Sequence, residues 1–414
     1  MIGFLARRYG YGLTQRLGNY PTSDFGEGGN CRRVWLHASS VGEVQAARVL
    51  IGEFSARHPE IHCILTTMTE HGHRVALKQF TDKVSCYLAP LDMAPAVRRA
   101  LQAIRPDLYV CLETELWPAM LTEARRAGIR MVLLNGRMSE RSYRRYRRIH
   151  CLIEPLLDGF EAFGVIRQAD ADRFAGLGVS REQIQVTGNI KYDLQAGDAD
   201  SVRGQYRTAL GLEGKKVFIC GSTHTGEEEL LISVYRRLAD QSDSEFIWIV
   251  APRHLERLAQ VKSLFNSHGI GFDLYTGIMQ GNRLHGVILV DCMGELANLY
   301  AAGDFIFCGG SLVDRGGHNI MEAARWGRPV YFGPSMKDFR DAVELLEPAG
   351  AGFQVMDAGE LTEIILAHMH DAAEYNKACR AALSVAASQH GSAKRQVDMV
   401  ERLLGLNKFL DTVQ

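Results

Sequence analysis

The sequence has no long apolar run. Nowhere in its 414 residues do apolar residues approach the run of about 18 that a membrane-crossing helix needs, so no transmembrane span is expected. It also lacks an excess of charge: 47 Lys and Arg against 48 Asp and Glu leave a net charge of -1. That balance argues against wholesale nucleic-acid binding and makes any basic patch a local one. None of the nine cysteines forms a Cys-x-x-Cys pair, and several sit in apolar runs. Buried free thiols in a reducing compartment are expected. The dinucleotide fingerprint GxGxxG and the GKS or GKT of a P-loop are missing, and no Asp-x-Asp stands at a suitable strand end. His71 and His73 are two residues apart and would diverge on a strand, so they read as loop histidines rather than metal ligands.

What is present is a rhythm. Short apolar runs at 34–37, 61–67, 86–89, 108–112, 130–134, 163–166 and 184–187 alternate with helical patterns. The second half repeats this at 217–220, 246–250, 287–290 and 305–308. Such alternation predicts mostly parallel sheets covered on both faces by helices. The length suits two domains. The expected division is an N-terminal segment 1–32, a first domain 33–195, a second domain 196–390 and a C-terminal helical segment 391–414.

Ligands of open α/β sheets bind beyond the carboxyl ends of strands, so the residues there matter most. In the first half, Glu43 falls in the first turn of a helix. It either favours the helix dipole or serves as a general base. Glu113 and Glu115 end a strand, placed for chemistry or for holding backbone amides of the turn. Lys191 follows the last strand and can neutralise developing negative charge. In the second half, Ser222 and Thr223 lie in a small-residue turn before a helix. Pro252 and Arg253 end a strand, where Arg253 either clamps an anion or pairs with Glu256. Gly294, Glu295 and Leu296 form a third such mouth. The richest is 305–339, with Gly309, Gly310, Ser311, Gly316, Gly317, His318, Asn319, Ile320, Met321 and Glu322. Its glycines let amides approach a ligand, and a following helix N-terminus suits phosphate.

Two stretches suggest surfaces. Arg141, Arg144, Arg145, Arg147 and Arg148 form either a solvated helix face or a contact for an anionic substrate or lipid. Arg7, Arg8 and Arg16 among apolar residues suit a short amphipathic helix on an anionic membrane, or equally a packed terminus.

Taken together, HASSVGE at 37–43, TTMTEHG at 66–72, ETELWP at 113–118, GNIKYD at 188–193, APRHLER at 251–257, MGEL at 293–296, GGSLVDRGGHN at 309–319 and GPSMKDF at 333–339 resemble one family. It is the 3-deoxy-D-manno-octulosonate (Kdo) transferases of lipopolysaccharide assembly, and the resemblance runs from about residue 33 to 350 in order. It implies an α/β GT-B fold, two Rossmann-like domains facing across a cleft. It also implies inverting transfer of Kdo from CMP-Kdo to the lipid A precursor (lipid IVA), with no metal or other cofactor. Glu43 matches the family's general base, and Glu113 and Lys191 match residues assigned to transition-state stabilisation. The donor would be held by Ser222, Thr223, Pro252, Arg253, Gly294, Glu295, Leu296, Gly310, Ser311, Asn319, Ile320, Met321 and Glu322, with Gly310 and Ser311 meeting the phosphate. The implied place is the cytoplasmic face of the bacterial inner membrane, with peripheral attachment. The chain departs from the family in lacking a longer apolar segment before the first strand. The competing readings are a GT-B enzyme with a different sugar nucleotide and a non-catalytic α/β scaffold.

Overall fold

A computed structural model describes residues 11–21, 32–80, 84–193, 198–279, 281 and 283–406. The chain divides into two compact units, Met1–Asp193 with Gly391–Gln414, and Leu194–His390.

The first unit is built on seven parallel strands: β1 (Arg33–His37), β2 (His62–Thr67), β3 (Val84–Leu88), β4 (Leu108–Leu112), β5 (Arg130–Gly136), β6 (Ala162–Val165) and β7 (Ile184–Val186). Their spatial order is β3-β2-β1-β4-β5-β6-β7. Successive side chains of a strand point to opposite faces, and both faces here are apolar. Val34, Leu36, Leu108 and Val110 join one core, whereas Trp35, Tyr109 and Cys111 join the other. That is why these strands read as continuous apolar runs rather than alternating ones.

The C-terminal helix Ser392–Leu404 does not stand apart as the segment 391–414 was expected to. It buries Val397, Met399, Val400 and Leu404 in the first unit's core, each such side chain contributing about 2 kcal/mol. The Asp193 carboxylate fixes its start by accepting from the amides of Gly391 at 2.8 Å and Ala393 at 2.7 Å.

The second unit has strands β8 (Lys216–Thr223), β9 (Phe246–Pro252), β10 (Asp273–Leu274), β11 (Val287–Leu289), β12 (Phe305–Cys308), β13 (Val330–Phe332) and β14 (Gly352–Gln354). They lie in the order β10-β11-β9-β8-β12-β13-β14, again all parallel. The edge strands β10 and β14 escape the sequence reading because two or three residues carry no periodicity. Among the described residues the last three helices are Ala358–His370, Ala372–Gln389 and Ser392–Leu404, separated at Asp371 and at His390–Gly391. The Asp371 carboxylate caps the helix Ala372–Gln389 through the amides of Ala373 and Glu374.

Among the described residues no helix is long and apolar enough to cross a membrane. Arg7 and Arg8 lie outside the described residues. Arg16 does not present its charge to a surface: it is 4% exposed, and its guanidinium donates to the Met68 carbonyl at 2.9 Å. The described cysteines are free, with Cys63, Cys111, Cys220 and Cys308 buried and Cys151 exposed.

Candidate functional site

Each sheet reverses its winding order once, between β1 and β4 in the first unit and between β8 and β12 in the second. Such a reversal opens a crevice at the strands' carboxyl ends, and the chemistry-bearing residues gather at both.

At the β1/β4 crevice, Ser40 caps the helix Val41–Arg57 and Glu43 is its third residue. The Glu43 carboxylate turns back into the loop. It accepts from the Ser39 amide and the Ser40 hydroxyl, both at 2.7 Å. This is close to a capping box, so Glu43 has a structural duty whatever else it does. It is also buried, at 4% exposure. Desolvation, followed by the negative charge of Glu113, outweighs the Ser40 hydroxyl bond and lifts its pKa from 4.5 to about 7. A carboxyl held there can take or give a proton at neutral pH.

Glu113 follows β4 with φ 57°, a left-handed conformation rare for a side-chain-bearing residue. Its amide donates to the Leu134 carbonyl, and its carboxylate lies between two cations. Lys191 Nζ is 2.5 Å from one oxygen, and Arg137 Nε is 3.0 Å from the other. Lys191 arrives from the far side of the sheet by way of Asn135. The Asn135 side chain, fully buried at the end of β5, accepts from the Ile190 amide at 2.9 Å. A Cβ on Gly42 would stand 3.5 Å from Lys191 Nζ, so the ammonium lies against the turn that carries Glu43. The structure therefore brings Glu43, Glu113 and Lys191 together.

Sequence reasoning missed the roles of Asn135, Arg137 and the buried His37, though it had noted Glu115. His37 bonds Thr66 at 3.1 Å and Ser39 at 3.2 Å, and burial pushes its pKa down to about 4, so it is neutral. Glu115 is pushed up by desolvation, its side chain bonded by Ser39. A polar residue inside an otherwise apolar strand, as His37 is in VWLH, was the available signal.

In the second unit, a pocket of about 300 Å³ opens at the carboxyl ends of β9, β11 and β12. Of the expected donor residues, Ser222, Pro252, Arg253, Gly294, Leu296, Asn319 and Glu322 line it. Asn319 Nδ2 donates to Glu322 Oε1 at 3.2 Å, and burial raises the Glu322 pKa. The others are placed differently. Ile320 and Met321 turn into the core, at 0% and 1% exposure. Glu295 accepts from the Tyr206 hydroxyl at 2.7 Å. Thr223 is fully buried and donates to Glu228 at 2.8 Å.

The expectation that Gly310 and Ser311 meet a phosphate is corrected. Their amides donate to the carboxylate of Glu227, at 2.7 and 3.0 Å, and the Leu312 amide joins them at 3.1 Å. These three donors are thus already used. His318, which the sequence placed in this loop without a stated role, and Phe339 also line the pocket.

A family profile described as 3-deoxy-D-manno-octulosonic-acid transferase (kdotransferase) matches residues 11–194. A 3-deoxy-D-manno-octulosonic acid transferase of Chlamydophila psittaci is 32% identical over 82% of this chain and 79% of its own length. The chain belongs to the 3-deoxy-D-manno-octulosonic acid transferase family. Another relative, a bifunctional glycosyltransferase/methyltransferase of Fusobacterium nucleatum, is 31% identical over 83% of this chain, which spans only 54% of that protein. The fold extends beyond the family. UDP-GlcNAc 2-epimerase of Neisseria meningitidis superposes with a TM-score of 0.57 at 14% identity, over 89% of this chain and all of that one. This is the two-unit parallel α/β architecture of GT-B enzymes.

Proposed function

We propose that the protein is an inverting glycosyltransferase that moves Kdo from CMP-Kdo to the lipid A precursor. The observation that carries this is the Glu43 carboxyl with its pKa near 7, next to the Glu113–Lys191 pair. Glu43 accepts the proton of an acceptor hydroxyl as that oxygen attacks the anomeric carbon of Kdo. Lys191 balances negative charge and Glu113 the positive character of the sugar as its bond to phosphate breaks. CMP occupies the pocket of the second unit, where Asn319 and Glu322 offer bonds to base or ribose. The name of the Chlamydophila psittaci relative supports Kdo as the sugar transferred.

Attachment at the cytoplasmic face of the inner membrane is part of the same reading. It is supported by the exposed arginines of the helix Glu140–Arg148, followed by exposed Ile149 and Leu152.

The test is incubation of the folded protein with CMP-Kdo and lipid IVA, read by product mass. Lengthening of the lipid is expected, and its loss in Glu43→Gln. No product from folded wild-type protein, or full turnover by the variant, contradicts the reading.

A further inference from the structure

A cluster of three histidines borders the nucleotide pocket and has no role in the function above. His224 follows β8, His254 follows β9 and His318 follows the second glycine pair. His224 and His318 are stacked, with ring centroids 5.3 Å apart and planes 4° from parallel. Their Nε2 atoms meet at 3.0 Å. The His254 ring stands edge-on to His224 at 5.6 Å. A Cβ on Gly310 would lie 3.2 Å from both stacked rings, so the glycine loop closes over them. His318 itself lines the pocket together with Arg253.

An Nε2-to-Nε2 bond has a strict proton count. With both rings neutral, one donates and the other accepts. With one extra proton the bond becomes charge-assisted and stronger. With two, both nitrogens carry hydrogens pointing at each other and the bond fails. The pair therefore holds one positive charge or none.

The surroundings set which. Arg253, Arg257, Arg315 and His254 oppose a proton on the pair, and Glu228 favours it. Glu228 is largely engaged by Arg257, at 2.8 and 2.9 Å. Glu227 is engaged by the loop amides and the His224 amide. Burial is the largest cause, lowering His318 to about 4, and together with these charges it keeps the pair neutral in the free pocket. A phosphate set against Arg253 and His318 cancels the opposing charge and attracts the proton directly.

We propose that the His224–His318 pair is a one-proton seat for the donor's phosphate, taking up a single proton as the nucleotide binds. The inference rests on this pocket being the nucleotide site. Its consequence for transfer is direct. When the bond from the anomeric carbon to the phosphate oxygen breaks, both electrons go to that oxygen. The diester, with one negative charge, becomes a monoester with nearly two. The new bond forms to the acceptor oxygen, whose proton goes to Glu43, while the proton on the histidine pair stays and offsets the growing charge.

Titration calorimetry of the full chain tests this at pH 7.5 in buffers of different ionisation enthalpy, with CMP, UMP and cytidine. CMP binding is expected to take up as much as one proton, and cytidine none. Any proton that CMP loses from its own phosphate has the opposite sign. In His318→Gln and His224→Gln the uptake disappears and CMP binds about tenfold more weakly, while cytidine affinity stays level and reports an intact pocket. CMP binding without uptake, or with uptake unchanged in both variants, overturns the seat. Uptake with UMP but no binding of CMP keeps the seat and overturns the cytidine donor.

Discussion

Replacing Glu43 by Gln tests how strongly the fold holds a proton at the first crevice, independently of any substrate. The folded chain binds that proton at about pH 7, whereas an unfolded chain binds it near the ordinary 4.5. Because the folded value is raised, the group's contribution to stability is fully present below about pH 4.5 and is lost as pH rises through about 7. The gap of about 2.5 pH units corresponds to about 3 kcal/mol. The Gln variant has no such titration. It carries instead a pH-independent penalty of about 1–2 kcal/mol, because one amide oxygen must serve two donors, the Ser39 N–H and the Ser40 O–H. Wild type is therefore expected to be the more stable at pH 5 and the variant at pH 8.5. Urea unfolding at pH 5, 6.5 and 8.5 measures this, with hydrogen exchange in β1 and β4 peptides reading the first unit alone. Parallel stability curves for the two proteins across that range would refute the argument, because they would mean that burial does not favour the neutral carboxyl.

Three further changes probe the rest. Lys191→Met removes the ammonium beside Glu113 and should lower the turnover number by about 10²–10³ with CMP affinity unchanged; turnover within threefold of wild type counts against its role. Glu322→Gln should weaken CMP by about tenfold in calorimetry, and unaltered affinity would remove Glu322 from the nucleotide's contacts. Glu227→Gln takes an acceptor from the amides of Gly310, Ser311 and Leu312 and should destabilise the second unit by about 3 kcal/mol. An unfolding temperature within about 1 °C of wild type would show that the carboxylate does not organise the loop.

The sequence was most informative where apolar runs are continuous. Strands such as β1, β4 and β9 are buried on both faces, so burial itself writes them as apolar runs. What periodicity does not encode is return across a distance. Lys191 follows the last strand of the first unit, and nothing local says that it reaches back to Glu113. That depends on Asn135, whose buried side chain anchors the Ile190 turn. The C-terminal helix was legible as a helix but not as part of the first unit, because its partner is Asp193, some 200 residues earlier.

The glycine loop shows a second limit. Its composition pointed to backbone amides awaiting an anion, and an anion is there, but the chain supplies it. Gly309 permits this. A Cβ at that position would lie 2.6 Å from the Ser222 carbonyl oxygen and 2.7 Å from the Thr223 Cα. Backbone packs on backbone, which sets the amides of 310–312 over Glu227 at the start of the helix Glu227–Asp240. Glycine composition records how closely two segments approach, not which charge they enclose. With those amides committed, a ligand's negative charge in this pocket falls to side chains, and Arg253 and His318 are the basic ones that line it. The same sequence feature that suggested a phosphate loop thus fixes the loop's shape, while the electrostatics of binding pass to residues whose meaning appears only once β8, β9 and β12 are side by side.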